Sequence, residues 1–193
     1  MSNLIPFLSY VFVVTFTPGP NNIMSMANAN KFGYRKTLKF ILGIFLGFTI
    51  IMLLSSYFSL LLYNVLPKIK FAMSIIGAAY MVYLAYKIIT SSDQADDGKE
   101  HLNSFFTGML MQFVNPKVIL YGITVVSNFI IPYYKSSITL FFFSILLASV
   151  AFMSISCWAL FGVIFEKYLS KYRKPFNLVM GLLLIYSAIS IFI

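Results

Sequence analysis

Six apolar runs, each close to the thickness of a bilayer, leave this chain few ways to fold. They cover residues 4–29, 37–62, 69–89, 105–131, 138–165 and 176–193. A helix needs about 20 mostly apolar residues to cross the hydrocarbon core. Lipid offers no partner to an exposed backbone N–H or C=O, so a run in that solvent must be helical. At about 1.5 Å per residue the longer runs reach ~39 Å, enough to cross with tilt. The last run is near the lower limit for a span. Only 10% of the 193 residues are charged, where soluble domains carry about 25%. The expected fold class is therefore all-α integral membrane, with six transmembrane helices.

The net charge of +9 could suggest a nucleic-acid partner, but the basic residues sit between the apolar runs and are explained by topology. Lys31, Arg35, Lys36 and Lys39 follow the first run, Lys87 and Lys99 the third, and Lys167, Lys171, Arg173 and Lys174 the fifth. Only Lys68, Lys70 and Lys135 lie on the opposite face. The positive-inside rule then places both termini outside the cell's cytoplasmic membrane; a five-span arrangement would put them on opposite sides. Ala27-Asn28-Ala29 imitates a signal-peptidase site, yet no Lys or Arg precedes Lys31. A signal peptide begins with a basic region, so the first run reads as a retained helix.

Residues 91–104 carry four of the five acids and read as a cytoplasmic linker between residues 1–90 and 105–193. Phe7 and Phe105 are 98 residues apart, as are Pro18 and Pro116. Each half has a proline break in its first helix, a long second helix, and a shorter third helix with a glycine (Gly77, Gly181). Three spans per half make the second half run upside down relative to the first. That is the inverted-repeat plan of many secondary transporters.

The breaks carry the functional signal. In Thr17-Pro18-Gly19-Pro20-Asn21-Asn22, the two prolines remove donors, so the Val14 and Phe16 carbonyls lose their helical partners. Left unpaired in oil, such groups cost several kcal/mol each. Gly19 permits an unusual backbone angle, and Asn21 and Asn22 are suited to cap the restarting helix. The expected product is a half-helix N-terminus near the membrane centre, with free N–H groups and a positive dipole end. It would suit an amino acid's carboxylate, and the carbonyls before it would suit the ammonium. The plainer reading is a proline kink healed by neighbouring helices.

The partner stretch is Gln112-Phe113-Val114-Asn115-Pro116-Lys117. Pro116 frees the Gln112 carbonyl, while Gln112 and Asn115 add amides. A mid-span Lys117 costs an apparent ~2.5–3.5 kcal/mol, so it should face a cavity or a partner; the plainer reading is a lysine snorkelling from a helix end. The expected substrate-binding set is Thr17, Pro18, Gly19, Pro20, Asn21, Asn22, Gln112, Asn115, Pro116 and Lys117. Gly43 and Gly47 form a GxxxG suited to close helix packing. Tyr80, Tyr83 and Tyr86 read as packing or interface aromatics, with one of them lining the pathway as the alternative; Cys157 and Trp158 read as packing residues, and His101 as solvated.

No apolar run holds an Asp, Glu or His. An intramembrane hydrolase needs a nucleophile with a base, and a metal carrier needs His, Cys or carboxylate clusters. Neither an enzyme nor a bound metal or cofactor is expected, and no residue stands out as the carrier of a coupling proton.

Thr17-Pro18-Gly19-Pro20-Asn21 with Asn115-Pro116-Lys117, and the glycines Gly33, Gly43 and Gly47, resemble the LysE/RhtB family of amino-acid exporters along nearly the whole chain. GAAYMVYLAYKI (77–88), QFVNPKVILYG (112–122) and CWALFG (157–162) look nearest to its cysteine and O-acetylserine exporters. The resemblance implies efflux of small neutral amino acids across the inner membrane, driven by the proton gradient, with alternating access around one midplane site. The family's exporters of cationic amino acids look to carry intramembrane aspartates; this chain has none, which argues against a cationic substrate. A non-transporting scaffold subunit, or an exporter of another metabolite, are the alternatives. A homo-oligomer is compatible with the sequence.

Overall fold

The computed structural model describes residues 4–58, 75–76, 78–90, 102–165 and 172–189. Their regular structure is helical throughout: α1 (Leu4–Phe16), α2 (Pro20–Phe32), α3 (Tyr34–Tyr57), α4 (Ala78–Ile89), α5 (Phe105–Val114), α6 (Pro116–Val125), α7 (Ser137–Ile164) and α8 (Arg173–Ile189). Most of the 91–104 linker, with Gly77, Lys68, Lys70, Lys99, His101, Lys167 and Lys171, lies outside the described residues.

Two helices, α3 and α7, are long and apolar enough to cross a membrane unaided. A third span is bent by 65°: α5 runs into α6 across Asn115 alone, and α6 continues through a π-helical turn, Val126–Ile130. The first apolar run is likewise two helices, α1 and α2, separated by Thr17, Pro18 and Gly19. Each has 13 residues, about 20 Å, so the interruption falls halfway along the run.

A loop was expected between the first two runs. Instead α2 and α3 are joined by Gly33 alone, whose φ of +80° interrupts the helix for one residue. Only glycine takes that angle without penalty, and its N–H closes α2 on the Ala29 carbonyl at 2.9 Å.

Glycines also set which helices touch. A Cβ on Gly43 would lie 1.9 Å from the Phe105 carbonyl oxygen, and one on Gly108 2.2 Å from that of Phe40. A Cβ on Gly47 would meet the Met109 oxygen at 2.5 Å. Backbone therefore rests on backbone where α3 crosses α5, the use a GxxxG serves between membrane helices. Gly162 plays the same part between α7 and α2, facing the Met26 oxygen at 2.5 Å. With α3 and α7 also packed together, four elements close on a core that includes Ile23, Phe40, Ile44, Met111, Leu147 and Ile155. The outer surface is just as oily, with Phe12, Phe106, Phe142 and Met153 more than half exposed. Apolar side chains on both the inside and the outside mark a protein that folds in lipid.

Candidate functional site

The chain break before α2 strips helical partners from a series of carbonyls, and side chains replace them one by one. The Thr17 N–H still closes α1 on Val13 at 3.0 Å, and its hydroxyl donates to the Val14 oxygen at 3.0 Å. Ser154 of α7 and Asn22 of α2 both donate to the Thr15 oxygen at 3.0 Å. Trp158 Nε1 takes the Phe16 oxygen at 3.2 Å. Asn22 also takes the Thr17 oxygen at 3.0 Å. Lys117 Nζ donates to the Thr17 oxygen at 2.9 Å, the Thr17 hydroxyl at 3.1 Å and the Pro18 oxygen at 3.4 Å. All five carbonyls from Val14 to Pro18 are thus satisfied.

Several expectations need correction here. Asn21 and Asn22 do not cap α2: its N-cap is Gly19, with no side-chain cap. The Asn22 amide is drawn to the freed carbonyls behind it, and the Asn21 amide crosses to the second break. Gly19 has φ −169° and ψ 175°, extended backbone open to any residue; a Cβ there would stand 3.0 Å from Lys117 Nζ, so the lysine end would have to shift by a few tenths of an ångström. Trp158 is an anchor of the break as well as a packing residue. Tyr80, Tyr83 and Tyr86 sit on α4 and do not line the cavity described below.

The two breaks meet. Asn21 Nδ2 donates to Gln112 Oε1 at 2.8 Å, and Asn21 Oδ1 accepts from Gln112 Nε2 at 3.2 Å and from Asn115 Nδ2 at 3.1 Å. Gln112 is fully buried and spends its second amide hydrogen on the Gly108 oxygen at 2.9 Å. The carbonyl that Pro116 frees on Gln112 is taken by the Asn115 N–H at 3.3 Å. Asn115 caps α6, its Oδ1 accepting from the Lys117 N–H at 3.1 Å.

Beside this junction lies a small, partly open cavity of about 40 Å³. Its polar end is formed by Gly19, Pro20, Asn21, Asn22, Asn115 and Lys117, and its apolar wall by Val14, Phe48, Val118, Ala151 and Ile155. Thr15 and Tyr121 complete it. Of the ten expected residues, six line the cavity. Thr17, Pro18, Gln112 and Pro116 do not: they shape the two breaks from behind. The apolar wall went unforeseen because its members look like any other residues of an apolar run. Tyr121 carried a faint signal, one helical turn beyond Lys117.

The polar end is electropositive. Ile23 N–H bonds the Gly19 oxygen at 2.9 Å and Pro20 has no N–H, so the first-turn N–H groups of Asn21 and Asn22 have no intrahelical acceptor. The half-half dipole end of α2 adds positive potential. Lys117 adds a cation, and no carboxylate opposes it among the described residues: all five acids, Asp93, Asp96, Asp97, Glu100 and Glu166, fall outside them. Such an end favours a carboxylate.

The LysE type translocator family matches residues 12–193. The chain is 39% identical over 186 residues to the cysteine/O-acetylserine efflux protein of Escherichia coli O139:H28, covering 96% of this chain and 95% of that protein. It is 38% identical, with the same coverage, to the proteins of that name from Escherichia coli K12 and Shigella flexneri serotype 5b. No solved structure matches.

Proposed function

The chain belongs to the LysE type translocator family, and from that premise we propose that it exports small neutral amino acids of the cysteine and O-acetylserine kind across the inner membrane. Membership makes it a multi-pass membrane transporter and not an enzyme. The observation that carries the substrate reading is the cavity where both breaks meet, with a cationic end and no carboxylate among the described residues.

A zwitterion can exchange both of its charges there. Its carboxylate takes the Asn21 and Asn22 N–H groups and Lys117; its ammonium takes the Thr17 and Pro18 carbonyls that Lys117 leaves. Each group released finds a new partner, so the exchange leaves no buried charge uncompensated. A cationic side chain would add a positive charge with nothing to offset it. The family resemblance and the cavity together favour a small neutral substrate.

We read the architecture as six spans in two inverted halves, 1–90 and 105–193, joined by a cytoplasmic linker at 91–104, with both termini outside. The 98-residue spacing of the two prolines supports this, as does reciprocal packing: α3 lies against α5 and α6, and α7 against α1 and α2. Each half's long helix thus embraces the other half's broken one. Alternating access would rock the halves about the junction, with the proton gradient as the drive.

Uptake of labelled cysteine or serine into inverted vesicles, with and without a pH gradient, tests the reading. Saturable uptake, faster with the gradient and lost in Lys117→Met, is expected. Wild-type rates in a Lys117→Met protein that inserts normally would refute the role of the cavity, and no uptake by the wild type would refute export.

A further inference from the structure

We infer that the buried polar seam between α2 and the start of α5, marked by Asn21, Ser25 and Asn28, is the path by which substrate reaches the junction from the cytoplasmic side, closed in this structure. The inference rests on the export reading and deepens it. The cavity touches only the first turn of α2, so it says where an amino acid is held and nothing of how it arrives.

Asn21, Ser25 and Asn28 are four and three residues apart, the spacing that puts side chains on one face of a helix. Both ends of this row face α5: Asn21 pairs with Gln112, and Asn28 Nδ2 donates at 3.4 Å to the oxygen of Leu102, just before α5. Ser25 stands between them, fully buried, and its hydroxyl has no hydrogen-bond partner among the described residues. Three other buried hydroxyls turn back onto the carbonyl four residues earlier: Thr37 onto Gly33 at 3.0 Å, Thr49 onto Phe45 at 2.7 Å and Ser144 onto Leu140 at 2.9 Å. Ser25 forgoes even that local bond. Next to Leu102, the buried Asn103 donates to the Lys36 oxygen at 3.2 Å, while its own Oδ1 has no partner among the described residues.

Polar atoms left unpaired in a closed seam are costly, and an apolar row would close it better. The cost is offset once the seam parts and Ser25 and Asn103 meet a polar solute. The helices are also arranged to part here. Backbone lies against backbone where α3 meets α5 and where α7 meets α2, whereas α2 is tied to α5 by the side chains of Asn21 and Asn28. The Asn28 bond is longer than the usual 2.7–3.2 Å range for N–H···O. From Asn21 to Asn28 the row covers about 10 Å of helix, most of the ~15 Å between the membrane centre and the edge of the hydrocarbon. Its amides and hydroxyl offer hydrogen bonds without charge, which suits a small neutral amino acid in transit.

Thiol accessibility tests the path. In a Cys157→Ala background, Ser25→Cys places one cysteine in the seam. Ile23→Cys places one at an equally buried position on the opposite side of α2. Inverted vesicles present the cytoplasmic face to a charged, membrane-impermeant methanethiosulfonate. Ser25→Cys should react, serine should slow that reaction, and Ile23→Cys should stay unmodified. Equal rates at the two positions, or a rate that serine leaves unchanged, overturn the inference. Ser25→Ala gives a second reading should the cysteine variant misfold. With no internal bond to lose, its melting temperature in detergent should be unchanged or raised, while serine uptake slows about two- to tenfold, the worth of one hydrogen bond. A clear fall in melting temperature, or uptake at the wild-type rate, also overturns the path. Absence of any wild-type uptake overturns the export reading instead.

Discussion

Replacing Gln112 by Leu should cost more than its three hydrogen bonds suggest, because of what it leaves behind on Asn21. Gln112→Leu removes both amide contacts with Asn21 and the bond to the Gly108 oxygen. Asn21 Oδ1 keeps Asn115 as a partner, but Asn21 Nδ2 is stranded in a site nearly closed to solvent. An orphaned buried donor costs about 1–3 kcal/mol, and each interhelical bond lost in a membrane protein about 0.6 kcal/mol. Together these give a destabilisation of roughly 2–4 kcal/mol. Asn21→Leu strands Gln112 Oε1 in turn and should cost a similar amount. In the double variant the amides vanish as a pair, and the total should stay near that of one single variant. The cycle should therefore show a coupling of about 2–4 kcal/mol between residues 91 positions apart. Reversible unfolding in mixed micelles measures all four proteins. Additivity within about 0.5 kcal/mol would mean that the two breaks do not share a buried amide junction.

Two further outcomes follow from the packing. Trp158→Phe leaves the Phe16 carbonyl without its donor and should lower stability by about 1–3 kcal/mol, read by the same unfolding assay, while Cys157→Ala on the exposed side of α7 should change little. Gly108→Val puts a branched side chain where a Cβ alone would stand 2.2 Å from the Phe40 oxygen; α3 and α5 must part, and folded protein recovered from membranes should fall sharply, whereas normal yield would contradict the crossing.

The helical class was legible because lipid tolerates so few backbone solutions, and the breaks were legible because proline's missing N–H is visible in any sequence. What satisfies the freed carbonyls was not. Ser154 and Trp158 lie in α7, a run so evenly apolar that no face stands out, and their partnership with Thr15 and Phe16 exists only once two distant segments are packed. The amide roles of Asn21 and Asn22 were misread for a related reason. Local rules favour asparagine as a cap, but carbonyls stranded in oil and a fully buried glutamine compete more strongly. Gly19 is a related case: its backbone angle is ordinary, and its close neighbour is Lys117, 98 positions away.

The buried polar face of α2 has a consequence for how the protein is made. This helix carries four asparagines, with Asn30 bonded to the Gly162 oxygen and Asn28 to that of Leu102. Those acceptors, together with the donors Ser154, Trp158 and Lys117, are synthesised long after α2 has left the ribosome. The early part of the nascent chain therefore has to wait, incompletely dressed, at the translocon or at the membrane–water boundary until its later part arrives. Completion of α2 is in this way tied to the arrival of Leu102 and Gly162.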